Sequence, residues 1–142
     1  AAPSVELRHR TLLLSVRPNA DAAAKDAALS RWYRDQIRAR ASVLTAQWSR
    51  TLGIDAPYVR VQHMKTKWGS CSPERRSIRL NTELAKKPPE CLEYIVLHEL
   101  VHLLEPTHND RFKALMRAFM PEWEARRREL NRLPVRHEDW SY

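Results

Sequence analysis

Apolar residues recur at helical spacing along one long segment, Ala22–Leu52. Steps of three and four place them on one side of a helix, with Arg and Asp on the other. The members of this stripe are Leu29, Tyr33, Ile37, Ala41, Leu44, Trp48 and Leu52. Gly53 follows, and glycine suits the left-handed residue that ends many helices. The pattern predicts one long helix that packs against a core.

Three other segments alternate apolar and polar residues, which is typical of strands. Residues 5–16 predict one strand or a short hairpin, after which Asn19 or Asp21 can cap the long helix. Residues 58–65 and Ser77–Asn81 predict two further strands. The segment between them, residues 66–76, is rich in glycine, proline and small polar residues, so we expect a loop there.

The last third of the chain predicts three helices. Proline can begin a helix but not continue one, so the first should run from Pro89 to about Leu104 and end before Pro106. Asn109 or Asp110 can cap the second, and Pro121 breaks it before a basic helix to about Asn131. The apolar face of the second helix comprises Phe112, Leu115, Met116 and Phe119. We expect an α+β fold.

A chain of 142 residues with 43% hydrophobic residues suits a single domain, residues 1–142. No apolar run is long enough for a membrane span, and we expect no membrane partner. Cys71 and Cys91 are too few for a disulfide scaffold, which favours a cytoplasmic protein with reduced thiols.

The chain starts at Ala1 in a strand-like pattern. We expect it to be the C-terminal part of a longer chain, with residues 1–17 a strand or hairpin from the preceding region.

The net charge of +8 and a pI near 10 permit anionic partners. Residues 111–136 hold eight Lys and Arg against three Glu, an excess of five positive charges. This basic C-terminal helix predicts either a solvated face or a weak contact with nucleic acid.

Three of the six histidines lie close together in the sequence, at His98, His102 and His108. Residues four apart share one face of a helix, so His98 and His102 can reach one metal ion. Imidazole suits Zn²⁺, and a catalytic zinc keeps three protein ligands and a water. Glu99 lies beside the ligands, where it can take a proton from that water as it attacks a carbonyl. The motif predicts a zinc-dependent hydrolase with one ion per chain.

Two residues compete for the third ligand position. His108 comes six residues after His102, and a chain that folds back after Pro106 brings it to the metal. Glu105 comes seven residues after His98 and shares the ligand face if the helix extends that far. We favour His108 and expect Glu105 to orient an imidazole.

The segments with these residues resemble the YgjP-like family of zinc metallopeptidases, which is related to the SprT and WLM families. The resemblance covers residues 32–34, 64–71, 78–81, 84–89 and 94–103, together with His108 and Phe112. The Met-Lys-Thr-Lys-Trp-Gly-Ser-Cys block at residues 64–71 and the His-Glu segment are its most specific parts. The resemblance implies a zincin-like fold, with a small β-sheet above a metal-binding helix and His108 as the third ligand.

Residues 67–70 form a second candidate site, for substrate. In zincin folds the preceding strand approaches the active-site cleft, so backbone N–H groups, Lys67 or Ser70 can stabilise an oxyanion or align substrate. The alternative is a tight turn around a packed Trp68, with Gly69 for the turn.

The leading hypothesis is peptide-bond hydrolysis, with a peptide or unfolded protein as the substrate. Lys65, Lys67 and Arg79 favour an alternative, a zinc-dependent hydrolase of a nucleotide or other phosphorylated substrate. A third hypothesis is a non-enzymatic, zinc-stabilised module that binds DNA or protein through a closed four-ligand site. The candidates for a fourth ligand are Cys71, Cys91 and Glu105.

Overall fold

A computed structural model describes residues 4–8, 11–15 and 22–132. The first two segments form an antiparallel hairpin of β1, Ser4–Arg8, and β2, Thr11–Ser15, in which Leu7 pairs with Leu12. The hairpin is one of the two arrangements that the alternating pattern predicts. The predicted capping residues Asn19 and Asp21 lie outside the described residues.

The long helix α1 spans Ala22–Leu52, as the apolar stripe predicts. Ile37 and Ala41 are fully buried at its centre, and the other members of the stripe are partly buried. Gly53 follows with a φ of 72°, and its N–H donates to the carbonyl of Arg50 at 3.2 Å. A left-handed glycine therefore ends the helix, because a residue with a Cβ is strained in that conformation.

A three-stranded sheet lies on the core, formed by β3, Tyr58–Gln62, β4, Gly69–Ser72, and β5, Ser77–Asn81. The strand order is β3-β5-β4, with β5 parallel to β3 and antiparallel to β4. The prediction of a loop throughout residues 66–76 is therefore wrong for β4. This strand is defined by its pairing with β5, since its own four small residues carry no apolar alternation.

Helix α2, Pro89–Leu104, is the centre of the core and has the predicted bounds. It is buried nearly all round, because α1, the sheet and the later helices pack against it. Before it, residues Thr82–Lys86 form a 3-10 helix that the sequence pattern did not indicate. Helices α3, Asp110–Phe119, and α4, Trp123–Asn131, complete the fold. None of the helices within the described residues combines the length and apolar character that a bilayer crossing requires.

Candidate metal centre

Three imidazoles converge at the end of α2. His98 and His102 lie one helical turn apart, and their Nε2 atoms are 3.2 Å from each other. The Nε2 atom of His108 lies 3.1 Å from that of His98 and 2.9 Å from that of His102. His98 and His102 are buried, whereas His108 is exposed, so the cluster opens to solvent on one side. These three nitrogens form a group that can hold a metal ion.

A sharp reversal of the chain brings His108 back to α2. The helix ends at Leu104, where the N–H of Glu105 donates to the carbonyl of Val101 at 2.8 Å. The Asn109 side chain then caps α3 by accepting from the N–H of Phe112 at 3.0 Å. Its amide also donates to Glu105 Oε1 at 2.9 Å, which joins the two ends of the turn.

The carboxylate of Glu105 binds residues outside the histidine cluster. It accepts from the Asn109 amide and lies 3.7 Å from the Arg111 guanidinium. Its backbone carbonyl, by contrast, lies 3.1 Å from Nδ1 of His102. A carbonyl only accepts, so Nδ1 of His102 carries the proton and Nε2 presents its lone pair to the cluster. Glu105 thus orients an imidazole through its main chain.

Two further aromatic residues surround the imidazoles. The hydroxyl of Tyr94, which is fully buried, lies 3.5 Å from Nδ1 of His98. The Phe112 ring contacts all three imidazoles, with centroid distances of 4.5 to 4.9 Å. Helical spacing puts Phe112 on the apolar face of α3, and no pattern in the sequence indicates its contact with the imidazoles.

Burial favours the neutral form of each histidine. It holds the pKa of His98 well below 6.5, and the neighbouring His102, His108 and Arg127 lower it further. Burial also lowers the pKa of His102 and of His108, although the Glu105 carbonyl partly opposes this at His102. Neutral imidazoles have the free lone pairs that metal binding requires.

Glu99 lies next to this cluster on α2 and is almost completely buried. Burial raises the pKa of its carboxyl to about 8, and the positive charge of Lys67 acts in the opposite direction. Its Oε2 atom has no hydrogen-bond partner within the described residues. A buried carboxyl with a raised pKa and a nearby cation is the kind of group that transfers protons at active sites.

The segment of residues 67–70 lies directly above Glu99. A Cβ atom at Gly69 would lie 3.1 Å from Glu99 Oε2 and 3.0 Å from Ile95 Cγ2, so only glycine lets β4 approach α2 this closely. Lys67 is exposed, Ser70 is half-buried, and the Trp68 ring is only 2% exposed within the core. The buried Trp68 ring therefore anchors the segment to the core, while the side chains of Lys67 and Ser70 reach solvent.

Asn81 fixes the other end of this segment and was not singled out from the sequence. Its amide donates to the carbonyls of Met64 and Lys67 at 2.8 and 2.7 Å. Its Oδ1 accepts from the N–H groups of Met64 and Glu83 at 3.3 and 3.0 Å. By alternation Asn81 shares the polar face of β5 with Ser77 and Arg79, so no pattern in the sequence indicates its burial.

The cysteines do not extend the cluster. Within the described residues, the potential ligand atoms that lie within 4.8 Å of one another belong to the three histidines alone. Burial raises the pKa of Cys71 to about 12, helped by the negative charge of Glu99, so its thiol stays protonated. This geometry gives no support to a closed site with Cys71, Cys91 or Glu105 as the fourth ligand.

Comparisons with known proteins concern the family and the fold of the chain. Residues 2–133 match the family model described as YgjP-like, metallopeptidase domain. The fold is similar to the crystal structure of the metallopeptidase zymogen of Pyrococcus abyssi abylysin, with 26% identity and a TM-score of 0.56 over 66% of this chain and 94% of that one. It is also similar to the metallopeptidase zymogen of Methanocaldococcus jannaschii jannalysin, with 25% identity and a TM-score of 0.54 over 61% of this chain and 89% of that one. No match was found among curated proteins.

These comparisons confirm the expected α+β, zincin-like fold. They also confirm the family resemblance that residues 64–71 and the His-Glu segment indicated. With the family model matching almost the whole sequence, the chain belongs to the YgjP-like metallopeptidase-domain family.

Proposed function

We propose that this protein is a zinc-dependent metallopeptidase in which His98, His102 and His108 hold one Zn²⁺ and Glu99 is the general base. The observation that carries the proposal is the convergence of three Nε2 atoms beside a buried carboxylate. Nitrogens about 2.0–2.1 Å from a tetrahedral zinc lie roughly 3.3 Å from one another. The distances of 2.9 to 3.2 Å between the Nε2 atoms are close to this value, so the three nitrogens fit three corners of a zinc tetrahedron.

When bound at such a site, zinc acts as a Lewis acid and lowers the pKa of a water molecule. The protein's own residues supply the proton transfers. Glu99 takes a proton from the attacking water and passes it to the amine that leaves. Burial raises the pKa of this carboxyl, and the positive charge of Lys67 opposes that shift and favours the ionised form that accepts the proton.

The chain also offers a surface for an extended peptide. In the order β3-β5-β4, strand β4 pairs with β5 along one side and has no strand partner on its other side among the described residues. A peptide can add to such an edge through main-chain hydrogen bonds. Lys67, whose charge acts on Glu99, can align the scissile bond or stabilise an oxyanion. Ser70 instead accepts from Arg79 on the outer side of the sheet. The substrate class is therefore a peptide or an unfolded protein.

The assay offers the zinc-loaded protein a peptide library and, separately, a panel of nucleotides. Glu99→Gln is the blank for each, because the amide is nearly isosteric and cannot accept the proton. We expect the wild-type protein to cleave peptides. Glu99→Gln should keep its zinc and cleave them about two to four orders of magnitude more slowly. Release of phosphate or pyrophosphate that depends on Glu99, with no peptide cleavage, would instead establish the phosphorylated-substrate alternative.

A second measurement tests the ligands separately from catalysis. Zinc affinity of His108→Ala and Glu105→Gln is measured by competition with a chelator. We expect a large loss in His108→Ala and near wild-type affinity in Glu105→Gln, since the Glu105 carboxylate already binds Asn109 and Arg111. Unchanged affinity in His108→Ala would remove His108 from the ligand set.

A further inference from the structure

The outer face of the three-stranded sheet carries a concentrated positive charge. Alternation along β3 and β5 turns Val59, Val61, Ile78 and Leu80 to the inner face and leaves Tyr58, Arg60 and Arg79 exposed on the outer face. The outward residues border an open depression of about 570 Å³. Its four cationic side chains are Arg60, Lys67, Arg75 and Arg79, and no Asp or Glu lines it.

These cations have no close ion-pair partner in the part of the chain that the structure describes. Arg60 and Arg79 occupy directly paired positions on β3 and β5. Neighbouring strands lie about 4.8 Å apart, so the pairing puts two positively charged side chains next to each other on one face. Like charges in such a pair destabilise a sheet, whereas opposite charges at paired positions stabilise it. An anionic ligand is the natural partner for this arrangement.

Part of the face has a fixed geometry. The Nε–H of Arg79 donates to Ser70 Oγ at 2.8 Å, which holds the guanidinium across β5 and β4. Tyr58 is 67% exposed at the start of β3, and the guanidinium of Arg60 lies 5.9 Å from its ring centroid. An exposed aromatic ring beside an arginine provides a flat partner for stacking.

We infer that this outer sheet face binds single-stranded nucleic acid, with the cations on the phosphates and the Tyr58 ring against a base. Cations combined with an exposed aromatic ring on one open surface are the features that proteins use for single strands. An acidic peptide would satisfy the cations but would leave the ring without a base to stack on. Lys67 borders both this face and Glu99, whereas Tyr58, Arg60 and Arg79 lie on the side of the sheet away from α2. The inference rests on these three and not on the proposed metal chemistry.

The test measures fluorescence anisotropy of a labelled oligothymidylate of about 12 nucleotides with the full chain. The double variant Arg60→Gln/Arg75→Gln removes two cations from the face and leaves the Arg79–Ser70 hydrogen bond in place. The matched control Arg117→Gln/Arg128→Gln removes two exposed cations from α3 and α4, the basic C-terminal region. Tyr58→Ala and Tyr58→Phe separate the ring from the hydroxyl. Circular dichroism checks that each variant is folded.

We expect the sheet-face double variant to weaken binding about tenfold or more and to reduce the salt slope by about 1.4, since each contact with a single strand contributes about 0.7. The control should weaken binding less than about threefold. Tyr58→Ala should cost about five- to tenfold and Tyr58→Phe much less, because stacking needs only the ring.

Three results would overturn the inference. The first is an equal loss of affinity in both double variants, which would mean diffuse charge attraction. The second is a larger loss of affinity in the control, which would assign binding to α3 and α4. The third is an oligoglutamate of equal length that binds as tightly as the oligonucleotide, with no effect of Tyr58→Ala on either. That result would make the face a general acceptor of acidic peptides.

Discussion

The ring of Phe112 stacks on the imidazole of His102, with centroids 4.5 Å apart and an angle of 29° between the planes. The same ring meets His98 and His108 edge-on, with both centroids 4.9 Å away. Phe112 is only 3% exposed, so it cannot move aside without opening the core. One core side chain therefore limits the rotation of all three proposed ligands.

We predict that Phe112→Leu weakens zinc binding by about ten- to a hundredfold, which is the range for residues that orient metal ligands. Leucine keeps most of the apolar volume but not the flat surface against which the imidazoles rest. Competition with a chelator gives the affinity, and chemical unfolding of the metal-free protein gives the stability. Phe119→Leu is the control, because Phe119 lies on the same helix, is partly buried and has no ring contact with the histidines. A similar loss of affinity in both variants would mean that Phe112 acts only through general packing.

Helical periodicity explains why part of the site could be predicted. The spacing of His98 and His102 fixes their common face on any helix, and proline fixes where α2 begins. The bounds of α1, β5 and α2 follow from local pattern in the same way. Their prediction needed no knowledge of which elements come together in space.

The remaining parts depend on long-range contacts. β4 exists because it pairs with β5, and Gly69 matters because of the distance between β4 and α2. Asn81 looks like an ordinary polar strand residue until its four hydrogen bonds to residues 64, 67 and 83 are known. The orienting group at Glu105 is a backbone carbonyl, which any residue type supplies, so no sequence pattern can identify it.

The two glycines provide a matched pair of variants. We predict that Gly69→Ala destabilises the fold by about 1–3 kcal/mol and strongly reduces hydrolysis, because the new methyl group must displace β4 or the Glu99 side chain. Gly53→Ala meets no atom within 4 Å, and only its φ of 72° is unfavourable. We expect it to cost about 1–2 kcal/mol with no effect on turnover. Chemical unfolding and a peptide-hydrolysis assay at saturating zinc distinguish the two variants. Wild-type turnover in Gly69→Ala would show that this close approach does not position Glu99.

Asn81 connects β5 to the segment that leads to Lys67. We predict that Asn81→Ala lowers the free energy of unfolding by about 3 kcal/mol or more, since each buried group left without a partner costs about 1–3 kcal/mol. Asn81→Asp should cost about as much, because a carboxylate oxygen would then face the carbonyls of Met64 and Lys67. The exposed Gln62→Ala, on β3, is the control and should change stability by less than about 0.5 kcal/mol. A loss below about 1 kcal/mol in both Asn81 variants would mean that water replaces the network.

The last prediction concerns the contact between the long helix and the metal-binding helix. The Nε1–H of Trp48 on α1 donates to Glu93 Oε2 on α2 at 3.0 Å, in a partly buried position. Hydrogen bonds to a charged group contribute about 1.5–3 kcal/mol, and partial exposure to solvent reduces that value. We expect Trp48→Phe and Glu93→Gln each to destabilise the protein. Phenylalanine keeps an aromatic ring but is smaller and lacks the donor, and glutamine keeps an acceptor but lacks the charge.

A double-mutant cycle separates this bond from packing. If the two groups interact, the double variant should be about 1 kcal/mol more stable than the sum of the single losses implies. Thermal and chemical unfolding of the four proteins give the cycle, and Gln47→Ala, next to Trp48 but exposed, serves as the neutral control. Strictly additive losses would show that the hydrogen bond is not maintained in solution. In that case α1 would be held against α2 by its apolar stripe alone, centred on Ile37 and Ala41.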